Sequence, residues 1–348
     1  MVSTMLGLVR TTLSLLVFLS HMPQLKPGSL VGLGFPIGHV AVTLFYVISG
    51  FLISRSYENF RARSSVPALG FYLDRLIRIY PGYCVALGLT VLLIKYGRSD
   101  FYSIGATFPP PDLTGHVLRG NVYILRMNMD VPAIDNPTWS LAAEIQFYLA
   151  VPLLAILPFP LFAAVVAASM GVQQYAYHAL PPGDADWLAY RSLYGMLFVF
   201  CMGICLARLD DRRFARLLAA VVALQVVLLT IVYPMTRPFA NYAIIAVALG
   251  VLVAVPVVDF AAHSGPSWLK PIDRFIGDLS YPIFLMHFPA MYCADLLYPQ
   301  GKDMPPLWYA LALGLCLVFA LALHGGVQLP SEKLRYAIRG FSRRKQVA

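Results

Sequence analysis

Arg10 and His21 stand at the two ends of RTTLSLLVFLSH, a run with no other ionisable side chain. Eleven residues at ~100° each return to nearly the same side of an α-helix, about 16 Å further along it. One face therefore carries a cation and, at another depth, a group that titrates near neutrality. Three further stretches hold reactive side chains at helical spacing. In NPTWSLAAEIQFYLAVPLL, residues 136–154, Ser140 and Glu144 are four apart and share a face. In GDLSYPIFLMHFPA, residues 277–290, Ser280 and His287 are seven apart and again share a face. In FYLDRLIRIYPGY, residues 71–83, Asp74 can pair with Arg78 at i,i+4, and Arg75 and Arg78 offer two guanidinium groups. Imidazole can move a proton, a nearby carboxylate can orient it, and paired arginines suit phosphate. Each has a plainer use as well. Arg10 can snorkel, His21 can sit at an interface, Glu144 can favour the positive end of a helix, and Arg75 and Arg78 can anchor among headgroups.

The elements that carry these residues must cross a membrane. Of 348 residues, 59% are hydrophobic and only 12% charged, and the mean hydropathy is +0.70. Soluble domains carry roughly 25% charged residues. The net charge of +9 does not signal nucleic acid. Its basic residues lie between apolar segments and in the tail FSRRKQVA, where they face lipid headgroups. The five cysteines, Cys84, Cys201, Cys205, Cys293 and Cys316, are odd in number and form no CxxC. They indicate neither a disulfide framework nor a zinc site, and no metal is expected. Arg10 precedes LSLLVFLS as the charge precedes the apolar core of a signal peptide, but no small-x-small site follows. The first helix is expected to be retained.

A span needs about 20 mostly apolar residues. Ten are expected, at 4–22, 37–55, 77–96, 139–157, 160–176, 188–207, 215–233, 239–258, 279–297 and 306–327. The fourth and fifth are joined only by Pro158-Phe159-Pro160. With the amino terminus inside, seventeen Lys and Arg residues fall in inner connections and the tail, against eight outside. This bias predicts both termini in the cytoplasm. The segment 97–137 reads as an ordered outer loop rather than helix. The expectation is an all-α, multi-pass protein of the plasma (bacterial inner) membrane, one transmembrane domain over 1–348 with no added soluble domain. Ionisable groups at such depth are candidates for function. Pro282 and Pro289 predict a bent helix around His287. His39 and His324 read as packing or interhelical hydrogen-bonding residues.

The ordered set of motifs resembles the membrane-bound acyltransferase-3 family. Arg10 and His21 match its Arg–His pair with ten residues between. AVTLFYVISGFLI (41–53) is similar to its Phe-rich segment ending Ser-Gly-Phe, DRLIRIYPGY (74–83) to its arginine-then-proline motif, PTWSLAAEIQFYL (137–149) to its Trp-Ser-Leu…Glu…Phe-Tyr motif, and LSYPIFLMH (279–287) to its late Ser-Tyr…His motif. Three departures stand out, one of them Tyr46 in place of the second Phe of the aromatic pair. Ala41-Val42-Thr43 replaces Gly-Val-Asp, and Gln328 precedes Pro330 by two residues where relatives carry a Glu before the Pro.

The resemblance implies transfer of an acyl group from cytoplasmic acyl-CoA, acetyl-CoA by family analogy, to a hydroxyl of a carbohydrate or glycan. His21 and Glu144 are then the catalytic candidates, His21 as general base with Glu144 orienting it, or His21 as a covalent acyl carrier. Arg10, Arg75 and Arg78 would bind the donor, and Trp139, Ser140 and His287 the acceptor. The partners implied are the bilayer, the donor and the acceptor, without nucleic acid; the oligomeric state is not legible. A polytopic transporter of a glycan or metabolite would use buried ionisable groups equally well. A non-catalytic scaffold would leave the histidine and the glutamate without a role.

Overall fold

The computed structural model describes residues 5–22, 37–97, 109–232, 238–263, 266–298 and 306–344. Among these every regular element is helical. Lys26, Arg98, Arg237, Lys302 and Lys345, which enter the orientation argument, lie outside the described residues, as does 98–108 of the outer loop.

Thirteen α-helices follow one another: α1 (Leu6–Ser20), α2 (Ile37–Arg61), α3 (Pro67–Tyr96), α4 (Gly115–Tyr123), α5 (Trp139–Ile156), α6 (Phe159–Ala179), α7 (Pro182–Asp186), α8 (Leu193–Ala207), α9 (Arg212–Val232), α10 (Pro238–His263), α11 (Lys270–Leu297), α12 (Pro306–Leu323) and α13 (Leu329–Arg344). Eight helical segments among the described residues are long and apolar enough to cross a membrane. They coincide with eight of the ten expected spans. The other two are α1, apolar but only 15 residues long, and α11, whose first turns carry Lys270, Asp273, Arg274 and Asp278. The protein is an integral, multi-pass membrane protein.

Three boundaries differ from expectation, each for a local reason. The outer loop contains α4, begun where Thr114 accepts a hydrogen bond from the Val117 amide. The span expected at 188–207 is broken at Ser192, whose backbone is extended and whose hydroxyl accepts from the Gly195 amide. That is an N-cap in the middle of an apolar run. The last helix does not stop at 327: a π turn at His324–Gln328 leads into α13, with Pro330 in its first turn, where a missing N–H costs nothing.

The chain divides into two compact units. The first holds described residues 37–72, 143–232 and 238–263. Its centre is the contact of α2 with α8. A methyl on Gly50 would strike the carbonyl of Phe200, and one on Gly203 would strike that of Val47. Small residues let two backbones touch where side chains would hold them apart. Phe200 stacks on Tyr46 and on Phe147, both with ring centroids 4.3 Å apart.

The second unit holds described residues 5–22, 73–97, 109–142 and 266–344. In it α1 and α11 run parallel in a fixed register. Asp273 Oδ2 accepts from the Gly7 amide at 3.1 Å and Oδ1 from the Leu8 amide at 2.8 Å, so a carboxylate caps N–H groups that have no acceptor within the first turn of α1. One turn on, Thr11 donates to the Ile276 carbonyl at 2.6 Å. Ser14 and Ser280 share a hydrogen bond of 2.9 Å, and Ser280 Oγ also lies 3.0 Å from the Arg10 carbonyl, its acceptor when Ser14 supplies the proton between the hydroxyls. A methyl on Gly277 would collide with Gly7 Cα. Every rung joins positions 265 or 266 apart, and each heptad step along α1 meets a heptad step along α11. The next step is His21 and His287.

Candidate functional site

His21 follows the last turn of α1 as its C-cap, with its Nδ1 2.9 Å from the Val17 carbonyl. His287 is fully buried in α11, with its Nδ1 2.6 Å from the Phe284 carbonyl. His287 Nε2 lies 3.3 Å from His21 Nδ1. A carbonyl oxygen only accepts, so each Nδ1 carries the hydrogen. In the neutral rings the lone pair of His287 is then on Nε2 and that of His21 on its own Nε2. The proton on His21 Nδ1 is shared between the Val17 carbonyl and His287. The pair is lined by Phe18, Phe284 and Phe288. α11 runs without interruption from Lys270 to Leu297 through Pro282 and Pro289.

Arg10 is half-buried one heptad-and-a-half before His21 on the same helix. The structure thus keeps the two ends of the sequence motif on one element and adds a partner for the histidine from α11.

Glu144 belongs to the first unit. Its Oε1 accepts from Tyr148 at 2.6 Å and from Ser49 at 3.1 Å. Within the second unit, the group against His21 Nδ1 is the His287 imidazole. Ser140 is buried and donates to the Pro137 carbonyl at 3.0 Å, closing the helix start. Trp139 is half-buried at the same start. Thr43, which stands in place of the family's acidic residue, is buried and donates to the His39 carbonyl at 2.8 Å, so its hydroxyl serves its own helix.

The arginine motif is built differently from the i,i+4 pair expected. Asp74 is fully buried, and its carboxylate is gripped by two guanidinium forks from α13. Arg335 reaches it at 3.1 and 3.3 Å, and Arg339 at 2.9 and 3.1 Å. Arg75 adds a contact at 3.1 Å. Arg78 instead lines a cavity with Arg335, Asp278, Gln328, Ser331 and Glu332. Arg335 and Arg339 each present a planar fork that gives the carboxylate two parallel bonds. Arg335 and Arg339 were hidden because the tail reads as headgroup-facing charge. His324 stacks edge-on to Phe275 and hydrogen-bonds Gln328, and His39 stacks on Tyr190, both as packing residues.

One more group escaped the sequence. Asp135, just ahead of α5, is 1% exposed, and among the described residues neither of its carboxylate oxygens has a hydrogen-bond partner. Burial holds its carboxyl well above the usual carboxylate range. Among the described residues no group of three or more His, Cys, Asp or Glu could hold a metal.

Comparison with known proteins points to a family. Residues 6–325 match the family model described as an acyltransferase domain, Acyl_transf_3. The chain is 26% identical over 277 residues to BcsY of Komagataeibacter xylinus, provisionally named a membrane-bound transacylase; the match covers 75% of this chain and 68% of that one. It is 22% identical over 326 residues to a provisionally named O-acetyltransferase of Staphylococcus aureus (strain COL), covering 85% of this chain and 53% of that one. An uncharacterized protein of Haemophilus influenzae is 31% identical over 129 residues, 35% of this chain and 51% of its own. The chain thus spans about half the length of the latter two. No solved structure matches.

Proposed function

Because the chain belongs to the acyltransferase-3 family, we propose that it is a membrane O-acyltransferase whose general base is His21. Its donor in this reading is acyl-CoA, acetyl-CoA by family analogy, and its acceptor is a hydroxyl of a carbohydrate or glycan. The observation that supports it is the imidazole pair. With Nδ1 of His21 hydrogen-bonded to Val17 and facing His287, the basic nitrogen is Nε2. An imidazole with an unperturbed pKa of ~6.5 suits a base working near neutral pH.

The step balances simply. The acceptor oxygen attacks the thioester carbonyl while Nε2 takes the hydroxyl proton. The tetrahedral intermediate expels the CoA thiolate, which receives that proton from the imidazolium. Arg75 and Arg78 are the donor's phosphate contacts in this reading, with Arg10 steadying its pantetheine arm. Glu144, its position fixed by Ser49 and Tyr148, is the second catalytic group. Trp139 and Ser140 stand on the acceptor side.

The test uses membrane vesicles from cells producing the protein, supplied with [14C]acetyl-CoA. Parent vesicles are expected to label their glycan fraction and release free CoA. His21→Ala should lose at least ~10²-fold in rate, the usual worth of a general base. Labelling by His21→Ala equal to that of the parent would remove His21 from the reaction.

A further inference from the structure

Resting on His21 as the base, we propose that His287 is its positioning residue, a neutral imidazole standing where a triad histidine has a carboxylate. In a Ser-His-Asp triad the acid holds the histidine in one tautomer and steadies the imidazolium that forms. His287 meets both requirements by geometry. Its Nδ1–H is committed to the Phe284 carbonyl at 2.6 Å, which turns the Nε2 lone pair toward His21 Nδ1 at 3.3 Å. Two N–H groups cannot face each other across that gap, so one hydrogen lies between the rings, and the Val17 carbonyl assigns it to His21. His21 is therefore held with Nε2 basic. When Nε2 takes the acceptor's proton, the positive charge spreads to Nδ1–H. The acceptors for that N–H are already in place, so no dipole has to turn during the reaction.

The ring of His287 cannot swing away. It is fully buried, with Phe18 edge-on at 6.2 Å, Phe288 edge-on at 5.2 Å and Phe284 at 6.0 Å between centroids. The register that brings it to His21 is set one and two heptads earlier by Ser14–Ser280 and Gly7–Asp273. A neutral partner also fits this apolar wall. A carboxylate here would be a buried charge with no counter-ion whenever His21 is neutral, whereas an imidazole costs much less. No proton passes to His287 during turnover: the one taken from the hydroxyl leaves on the CoA thiol.

The experiment compares His287→Leu and His287→Gln with the parent in vesicles supplied with [14C]acetyl-CoA, with rates normalised to protein in the membrane. The Leu variant is expected to lose about 10²-fold in maximal rate, the scale of a general-base contribution, with its KM for acetyl-CoA within about twofold of the parent. The Gln variant, whose Oε1 can accept the same N–H, should recover at least a tenth of the parent rate. Equal losses in both variants, full activity in both, or a raised KM at unchanged maximal rate would overturn the proposal. If the Leu variant fails to reach the membrane, His287→Asn, whose shorter amide falls short of His21, takes its place under the same criteria. Failure of the broader reading looks different: there His21→Ala stays active or the parent does not label.

Discussion

The hydroxyls of Ser14 and Ser280 meet at 2.9 Å between two parallel helices, midway along a ladder whose next rung is the histidine pair. On the proposed mechanism, the ladder makes the spacing of α1 from α11 a condition of the chemistry.

Gly277 is where that spacing can be altered. A side chain there must push α1 away, because even a methyl would collide with Gly7. Gly277→Leu is expected to cost about 2–3 kcal/mol, as overpacking does, and to lower acyl transfer at least ~10-fold by parting the imidazoles. Gly314→Ala is the control. Nothing lies within 4 Å of the added methyl, so the helix should gain about 0.5–1 kcal/mol. Thermal melting in detergent and the vesicle assay check both.

Asp74 fastens α13. Removing its charge takes from Arg335, itself 6% exposed, its bidentate carboxylate and leaves, among the described residues, only Glu332 at 3.9 Å. Asp74→Asn is expected to destabilise by about 3–5 kcal/mol, as breaking one side of a buried ion pair does. The loss should be local. Hydrogen exchange in 329–344 and tryptic cleavage there should rise before the rest of the chain opens. Unchanged protection in α13 would contradict it.

Asp135 makes stability depend on pH with a definite sign. Its folded carboxyl titrates above the unfolded value, which is ~4. The folded state therefore binds the proton more tightly. Its favourable contribution is complete below pH ~4 and is lost as pH rises toward the folded value. Asp135→Asn cannot ionise, so the parent should lose stability relative to this variant as pH rises above ~4. A pH-independent difference in melting temperature would show that the carboxyl is not raised.

Glu144→Gln separates a catalytic carboxylate from a packing one. Glutamine keeps an oxygen to accept from Tyr148 and Ser49, so melting should move by less than about 2 °C for a change within ~0.5 kcal/mol. Activity should fall by at least ~10-fold if the charge takes part. Parent-like rates would assign Glu144 to packing alone.

Much of this was legible in the sequence because apolar runs of membrane length admit one reading. Eight expected spans are helices of spanning length, and the hairpin at Pro158 holds, α5 ending at Ile156 and α6 starting at Phe159. What stayed hidden was local capping and long-range partnership. Ser192 interrupts an apolar stretch through a single hydroxyl, which hydropathy cannot register. Asp74 had a near neighbour of the right charge in Arg78, yet its forks come from residues 261 and 265 positions away. His21 and His287 were each visible as candidates, but separate helices carry no sign of adjacency. One signal was present: Asp273, Ser280 and His287 recur every seventh residue, as do Gly7, Ser14 and His21.

The 266-residue separation of the two histidines has a consequence for biogenesis. At a synthesis rate of roughly 5–20 residues per second, α11 leaves the ribosome about a quarter of a minute to a minute after α1 has inserted. During that interval the nascent chain holds a histidine whose tautomer nothing on α11 can select. On the proposed mechanism a thioester that reached it would meet an unassembled centre, so competence would arrive only when the late helix packs beside the early one, and chains terminated before α11 would be inert.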